Sequence, residues 1–334
     1  IDPKVQLTPV VWCALLVAFG SATQDIALDA FRIESADSDH QAALAATYQT
    51  GYRLALIWAG AGVLWLAARA ESGSASYDPA AWQFAYLCMA LSIGVGVITT
   101  LFSKEPVRIE LAKARNAKAW LHQTLIEPFA DFIKRYGWHA ILILSLIAIY
   151  RISDVVMGIM ANPFYVDMGY TKDEVAAVSK VFGVVMTLVG AFVGGVLTLR
   201  FGVMRILFLG AILSAVSNLL FAWLATQGHD LHGLIWVISA DNLSSGIASA
   251  AFIAFLSALT NIQYSATQYA LFSSMMLLLP KWLAGFSGVF VNNFGYSNFF
   301  ISTAIIGAPV LILIWLTIHF KVVEFKKHNA QVAK

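Results

Sequence analysis

The sequence predicts an all-α fold, a polytopic bundle of membrane-spanning helices. Composition is the first reason: 59% of the 334 residues are hydrophobic, 12% are charged, and mean hydropathy is +0.74. A soluble domain carries about 25% charged residues, so half the expected charge is missing. Run length is the second. A bilayer core of about 30 Å takes about 20 apolar residues of helix. About nine stretches qualify, near 10–29, 42–69, 82–102, 138–159, 174–197, 203–227, 232–259, 266–291 and 297–319. The third is that no run alternates with the two-residue period of a membrane barrel. These features exclude a disordered chain, a soluble enzyme and a nucleic-acid binder, and the net charge of +2 builds no basic stripe interleaved with aromatics. Cys13 and Cys88 lie inside apolar runs, frame no disulfide set and form no metal cluster, so no metal and no cofactor is expected.

The first run contains Ser21-Ala22-Thr23-Gln24-Asp25-Ile26-Ala27-Leu28-Asp29-Ala30. A carboxylate inside a membrane helix is costly and must face water or a partner. Asp25 and Asp29 are four apart and share a face. Asp29 reads as interfacial, and the deeper Gln24 and Asp25 read as functional. In the second run Arg53 sits about 11 residues in, or roughly 16 Å at 1.5 Å per residue, near mid-membrane. Gln49 lies one turn before it, and Tyr48 and Tyr52 make an adjacent stripe. After the third run comes a long connection, about 103–137. It is charged up to Lys118, then amphipathic through Trp120, Leu121, Leu125, Phe129, Phe132 and Ile133, a pattern that suits lying on the membrane face.

The fourth run carries Arg151 and Asp154, three apart and able to neutralise each other. Lys180, in the fifth, can pair with Asp154 or Asp241. Gly190-x-x-x-Gly194 signals close helix packing. Ser214, Ser217, Asn218, Asn242, Ser245 and Ser249 recur at helical spacing. Such residues are more often packing glue than ligand contacts, with Asn218 and Asn242 retained as candidates for a cavity wall. Lys281 follows Pro280, a kink that frees backbone carbonyls. The cations Arg53, Arg151, Lys180 and Lys281 suit an anionic ligand. Asp25, Asp154 and Asp241 suit proton uptake or ion pairing. The histidines at run ends (His139, His229, His232, His319) have no metal-ligand spacing.

Basic residues set the orientation. The 103–137 connection holds Lys104, Arg108, Lys113, Arg115, Lys118, Lys134 and Arg135. Alternation adds Arg32, Arg200, Arg205, Lys321, Lys326, Lys327 and Lys334 to that side, against Lys4, Arg69 and Lys172 on the other. The C-terminus is therefore expected in the cytoplasm. Six runs follow the long connection and three precede it. Six helices, a long cytoplasmic loop and six helices is the plan of the major facilitator superfamily. The chain resembles that plan with its first three helices absent, the alternative being a genuine nine-helix protein. The expected units are 1–102, a partial N-terminal half; 103–137, a linker; 138–320, a six-helix C-terminal half; and 321–334, a tail. The turn Gly194-Gly195 through Arg200-Phe201-Gly202 to Arg205 resembles the superfamily's signature loop, with Leu199 where an acidic residue is usual.

Gln24-Asp25-Ile26-x-x-Asp29-Ala30 resembles the muropeptide permeases (the AmpG family) and, more distantly, the acetyl-coenzyme A transporters. The likeness continues in order through Pro128-Phe129-Ala130-Asp131-Phe132, Tyr150-Arg151-Ile152-Ser153-Asp154, Ala161-Asn162-Pro163-Phe164-Tyr165, Val178-Ser179-Lys180-x-Phe182-Gly183, Asp241-Asn242-Leu243-Ser244-Ser245-Gly246 and Tyr264-Ser265-Ala266-Thr267-Gln268-Tyr269-Ala270-Leu271. The resemblance implies proton-coupled import of anhydro-muropeptides across a bacterial inner membrane, by a monomer working through alternating access. Its partners would be the cargo, protons and the bilayer, with no nucleic acid. A carboxylate in a low-dielectric cavity readily holds a proton; Asp25 is the first choice for that step and Asp241 the second. Another anionic cargo such as an acyl-coenzyme A ester, a membrane enzyme acting on peptidoglycan precursors, and a non-transporting membrane protein are the other readings.

Overall fold

The structure, a computed structural model, describes residues 6–36, 40–70, 78–106 and 116–322. Lys4, Arg108, Lys113, Arg115, Lys326, Lys327 and Lys334, and the side chains of Lys172 and Lys180, lie outside the described residues. Among the described residues every regular element is helical. The main helices are α1 (Leu7–Glu34), α2 (Ala43–Ala70), α3 (Pro79–Phe102), α4 (Glu127–Tyr136), α5 (His139–Asp167), α6 (Ala176–Phe201), α7 (Val203–Gln227), α8 (Leu231–Leu259), α9 (Ser265–Ala284), α10 (Ser287–Ile306) and α11 (Ala308–His319).

Among the described residues eight segments are long and apolar enough to cross a membrane, the last of them Ser287–His319. That segment has 33 residues, beyond what one crossing of about 20 residues needs. It is broken at Gly295, whose φ of 77° and ψ of 168° leave the helical region, a conformation open to a residue without Cβ. The two sides of Gly295 fold back on each other, with the Phe290 and Phe299 rings 6.0 Å apart. Tyr296 donates to Asp167 at 2.6 Å, at the C-terminal end of α5. At the other end of the bundle Trp138 meets Phe320 at 5.7 Å. The chain therefore reverses at Gly295, and 265–294 and 296–319 make separate crossings, in line with the sequence-based spans at 266–291 and 297–319.

The packed core lies in α5 to α11. In the 18-residue windows of α1, α2 and α3, 0%, 6% and 6% of residues are buried, against 72% for α8. Helix α8 sits centrally, against α6, α7 and α2. It approaches α6 closely because small residues meet. A Cβ on Gly194 would stand 2.7 Å from the Ile247 Cα, and at Gly190 and Gly246 it would run into the backbone of Leu243 and Thr187. Overpacking a close helix contact costs about 1–3 kcal/mol. Gly194→Leu is therefore expected to lower the thermal midpoint of the detergent-purified protein, whereas Gly20→Leu, with open space around it, leaves the midpoint unchanged.

The linker helix α4 does not lie free on a surface. Its Pro128 and Phe132 are buried, with Phe132 edge-on to Phe272 of α9 at 5.2 Å. Arg135 donates to the Leu259 carbonyl at 3.1 Å and to Gln268 at 3.0 Å. Gln268 in turn donates to the Pro128 carbonyl at 2.8 Å and to Asp131 at 3.0 Å. Helix α4 thus ties the last carbonyls of α8 to the start of α9. Phe129 and Ile133 remain exposed, so one half of the expected apolar face is docked and the other half is free for lipid.

At the opposite end a clasp joins the α5–α6 and α7–α8 turns. Tyr170 donates to the Asp230 carbonyl at 2.9 Å, and His229 lies 3.1 Å from Glu174. The Thr171 backbone N–H, then His229 and the Thr171 hydroxyl, hold the Glu174 carboxyl below its ordinary 4.5. A depressed carboxylate contributes stability above its unfolded value, and that stability is lost as pH falls through the folded value. Amide exchange at Glu174, corrected for intrinsic rates, is expected to accelerate stepwise as pH drops from about 6 to about 3, and Glu174→Gln to abolish the step.

Candidate functional site

Helix α5 is interrupted at Tyr150–Arg151. The segments His139–Ile149 and Ile152–Asp167 meet there, and Arg151 leaves helical geometry at φ −92°, ψ 8°. Tyr150 is pinned on the core side, donating to the Leu207 carbonyl at 3.2 Å and stacked on Phe252 at 4.4 Å. Arg151 therefore leads off an interrupted turn. Its guanidinium donates to Ser249 of α8 at 2.8 Å, and its Nε stands 3.4 Å from Asp154. The sequence-based pairing of Arg151 with Asp154 thus appears in the structure. The pair is loose, since Arg151 Nε is buried without a hydrogen-bond partner among the described residues.

Asp154 accepts a bond from Ser214 of α7. One turn on, Ser217 donates to Asp241 of α8 at 3.1 Å. Asp241 is within electrostatic range of both Asp154 and Arg151. The structure thus gathers Arg151, Asp154 and Asp241 into one cluster, with three serines whose spacing suggested packing alone. One guanidinium faces two carboxylates across α5, α7 and α8.

Arg53 faces this cluster from α2, within electrostatic range of Arg151. Its Nε is buried with no hydrogen-bond partner, and no acidic side chain pairs with it among the described residues. A guanidinium with no acidic partner in a membrane interior calls for an anion beside it. Gln49, one turn before Arg53, is half-buried, and Tyr52 is 55% exposed.

The remaining candidates lie apart. Asn218 is fully buried; its amide donates to Ser153 at 2.7 Å and Thr303 at 3.1 Å. Asn242 accepts from Thr187 at 2.9 Å and donates to the Ile238 carbonyl at 3.0 Å. Both asparagines clamp helices together. Gln24 and Asp25 are exposed on α1. Lys281 is exposed in the last turn of α9, after the buried Pro280. The backbone of Lys180 lies in a π-helical turn, Ala176–Phe182. Among the described residues no three His, Cys, Asp or Glu side chains could share a metal ion.

A many-spanning helical bundle with charges gathered between its helices is a membrane carrier architecture of the major facilitator type. A scan of protein-family models returns no match. The curated relatives are informative. AmpG 4 of Rickettsia conorii is 34% identical over 315 residues, covering 94% of this chain and 73% of the relative. The anhydromuropeptide permease of Escherichia coli is 32% identical over 316 residues, covering 94% of this chain and 61% of the relative. AmpG 1 of Rickettsia conorii is 31% identical over 316 residues, covering 94% and 75%. The chain belongs to the AmpG family of membrane transporters.

Proposed function

We propose that this protein imports anhydro-muropeptides across a bacterial inner membrane, coupled to protons, as a monomer with its C-terminus in the cytoplasm. It acts as a carrier and not as an enzyme. The observation that carries the reading is Arg53, whose Nε is buried in the bundle with no hydrogen-bond partner and which has no acidic partner among the described residues. An anhydro-muropeptide brings peptide carboxylates to such a cation and sugar hydroxyls and amides to Gln49 and Tyr52. The name of the Escherichia coli relative points to the same cargo. The orientation rests on the basic end of the bundle, where Arg32, Arg135, Arg200 and Arg205 collect.

In this reading the cargo carboxylate binds between Arg53 and Arg151, and the protons go to Asp25, Asp241 and Asp154. Asp25 remains the first choice, a carboxylate exposed on α1 inside a membrane-spanning run. Asp241 is the second, because it shares one arginine with Asp154. Gln24, Lys180 and Lys281 complete the proposed cargo wall, while Asn218 and Asn242, expected there from the sequence, clamp helices together instead. The units 1–102 and 138–320 rock about this site, with 103–137 as the linker and 321–334 as the tail.

The test is uptake of labelled N-acetylglucosaminyl-anhydro-muropeptide into proteoliposomes, with and without an inward proton gradient. Accumulation that depends on the gradient is the expected result. Uptake of a labelled acyl-coenzyme A ester that unlabelled anhydro-muropeptide does not block would replace the cargo with the second anionic class.

A further inference from the structure

Outward of Asp241, toward the end opposite the basic one, the bundle is packed with apolar side chains. Phe164 of α5, Phe221 and Leu224 of α7, and Leu234 and Ile238 of α8 are each at most 1% exposed. Set among them is the hydroxyl of Tyr165 in α5. Tyr165 is 2% exposed, and its hydroxyl is hydrogen-bonded to Ser179 of α6. It lies within electrostatic range of Asp241. The packing of α6 on α8 agrees with this placement. Gly183, one turn inward of Ser179, abuts Asn242 and Ile238, where a Cβ would stand 3.2 Å and 3.3 Å from their side chains. Asp241 precedes Asn242 in the chain, so Tyr165 and Ser179 stand about one helical turn outward of it.

On its outer side the Tyr165 ring meets Tyr170 edge-on at 6.4 Å, and the Tyr170 N–H donates to the Tyr165 carbonyl at 3.0 Å. The Tyr170 ring lies 4.8 Å from His229, which is 3.1 Å from Glu174. The side chains of His229 and Glu174 are 45% and 23% exposed, so water reaches this clasp. A seam of hydroxyl, ring and imidazole groups thus runs from the outer surface along α5 and α6 toward Asp241. A close-packed apolar wall holds no room for free water, and a bare proton in it is an unpaired buried charge. A tyrosine hydroxyl both donates and accepts, so it can hand a proton across such a wall without becoming charged. The seam includes neither Arg53 nor Arg151. Asp241 can therefore exchange its proton along it while cargo is seated on the arginines.

We propose that Tyr165 is a proton-entry residue of this carrier: the proton that Asp241 takes up from the end opposite the basic one passes over the Tyr165 hydroxyl. This rests on the proton-coupled reading above and adds a residue to it. The Tyr165 oxygen accepts a proton on the Ser179 side as its own O–H proton leaves toward Asp241. The tyrosine is neutral before and after, and Asp241 ends as the neutral acid. Asp241 shares Arg151 with Asp154 and is held by Ser217. Its neutralisation leaves Arg151 with one counter-charge fewer, which favours an anionic cargo there.

Tyr165→Phe removes the oxygen alone and keeps the ring against Tyr170. In proteoliposomes two rates are compared: muropeptide accumulation driven by a proton gradient, and exchange of labelled for unlabelled muropeptide without one. Driven uptake is expected to fall about tenfold, the order of one lost hydrogen bond in a barrier, with exchange unchanged. Unchanged driven uptake, or an equal loss of both rates with a lowered thermal midpoint, overturns the proposal. Tyr296→Phe removes a hydroxyl at the same end, the one bonded to Asp167. It is expected to leave the ratio of the two rates unchanged, and a matching fall there overturns the proposal as well. A second measurement needs no cargo. After a pH jump the infrared band of protonated carboxyl groups is followed in time, and the part lost in Asp241→Asn belongs to Asp241. Tyr165→Phe is expected to slow the rise of that part about tenfold. An unchanged rise, or no band lost in Asp241→Asn, overturns the relay. Should the wild-type protein transport no muropeptide, the cargo reading fails, and the infrared rates still decide the role of Tyr165.

Discussion

Arg53→Gln is expected to weaken cargo binding by about ten- to a hundredfold, the equivalent of the roughly 1.5–3 kcal/mol of a charged hydrogen bond. The side chain has no acidic partner among the described residues, and its Nε is buried without a bond. Removing it therefore breaks no internal ion pair. Stability should hold or improve, because a half-buried uncompensated cation disappears and its repulsion with Arg151 goes with it. Loss of affinity together with an unchanged or raised thermal midpoint separates a ligand-binding arginine from a structural one, whose removal lowers both. Arg53→Lys tests geometry as well as charge. A lysine keeps the charge and loses the planar fork that holds a carboxylate by two bonds, so it should recover only part of the binding. Binding by a labelled anhydro-muropeptide and the midpoint, measured on the same purified samples, give both numbers. Wild-type affinity in Arg53→Gln would take Arg53 out of the site.

The spans were legible because a membrane helix is a local property. Twenty apolar residues in a row announce themselves, and even the reversal at Gly295 falls between two runs drawn from composition. The Arg151–Asp154 pair was legible for the same reason, three residues apart on one helix. What surrounds it was not. Ser249 is 98 residues from Arg151, and Ser214 is 60 from Asp154. A serine at helical spacing looks the same whether it glues helices or holds a carboxylate. Arg32 is the clearest case. It counted only as one more positive charge at a helix end, because Ser257, to which it donates, lies 225 residues away and nothing local marks an arginine as buried. The amphipathic pattern of the linker was correct as a pattern, but periodicity cannot say whether an apolar face meets lipid or protein. In α4 it meets both.

Arg151→Gln and Asp154→Asn are expected to differ in kind. The Arg151 side chain is 23% exposed and that of Asp154 is 15% exposed. Removing the arginine leaves Asp154 and Asp241 near each other with no cation between them, apart from Arg53 opposite. Breaking a buried pair from one side costs about 3–5 kcal/mol, because a charge is stranded. Arg151→Gln should therefore lower the thermal midpoint strongly. Asp154→Asn keeps Arg151 compensated by Asp241, and the amide can still accept from Ser214, so its midpoint should fall little. Its transport should fail differently, with cargo exchange retained and accumulation driven by the proton gradient reduced. The double variant closes the cycle. If the pair acts as a unit, Arg151→Gln with Asp154→Asn is more stable than Arg151→Gln alone, because the stranded carboxylate is gone. Additive losses in the double variant would mean that the 3.4 Å approach carries no coupling, and that Arg151 is held by Ser249 alone.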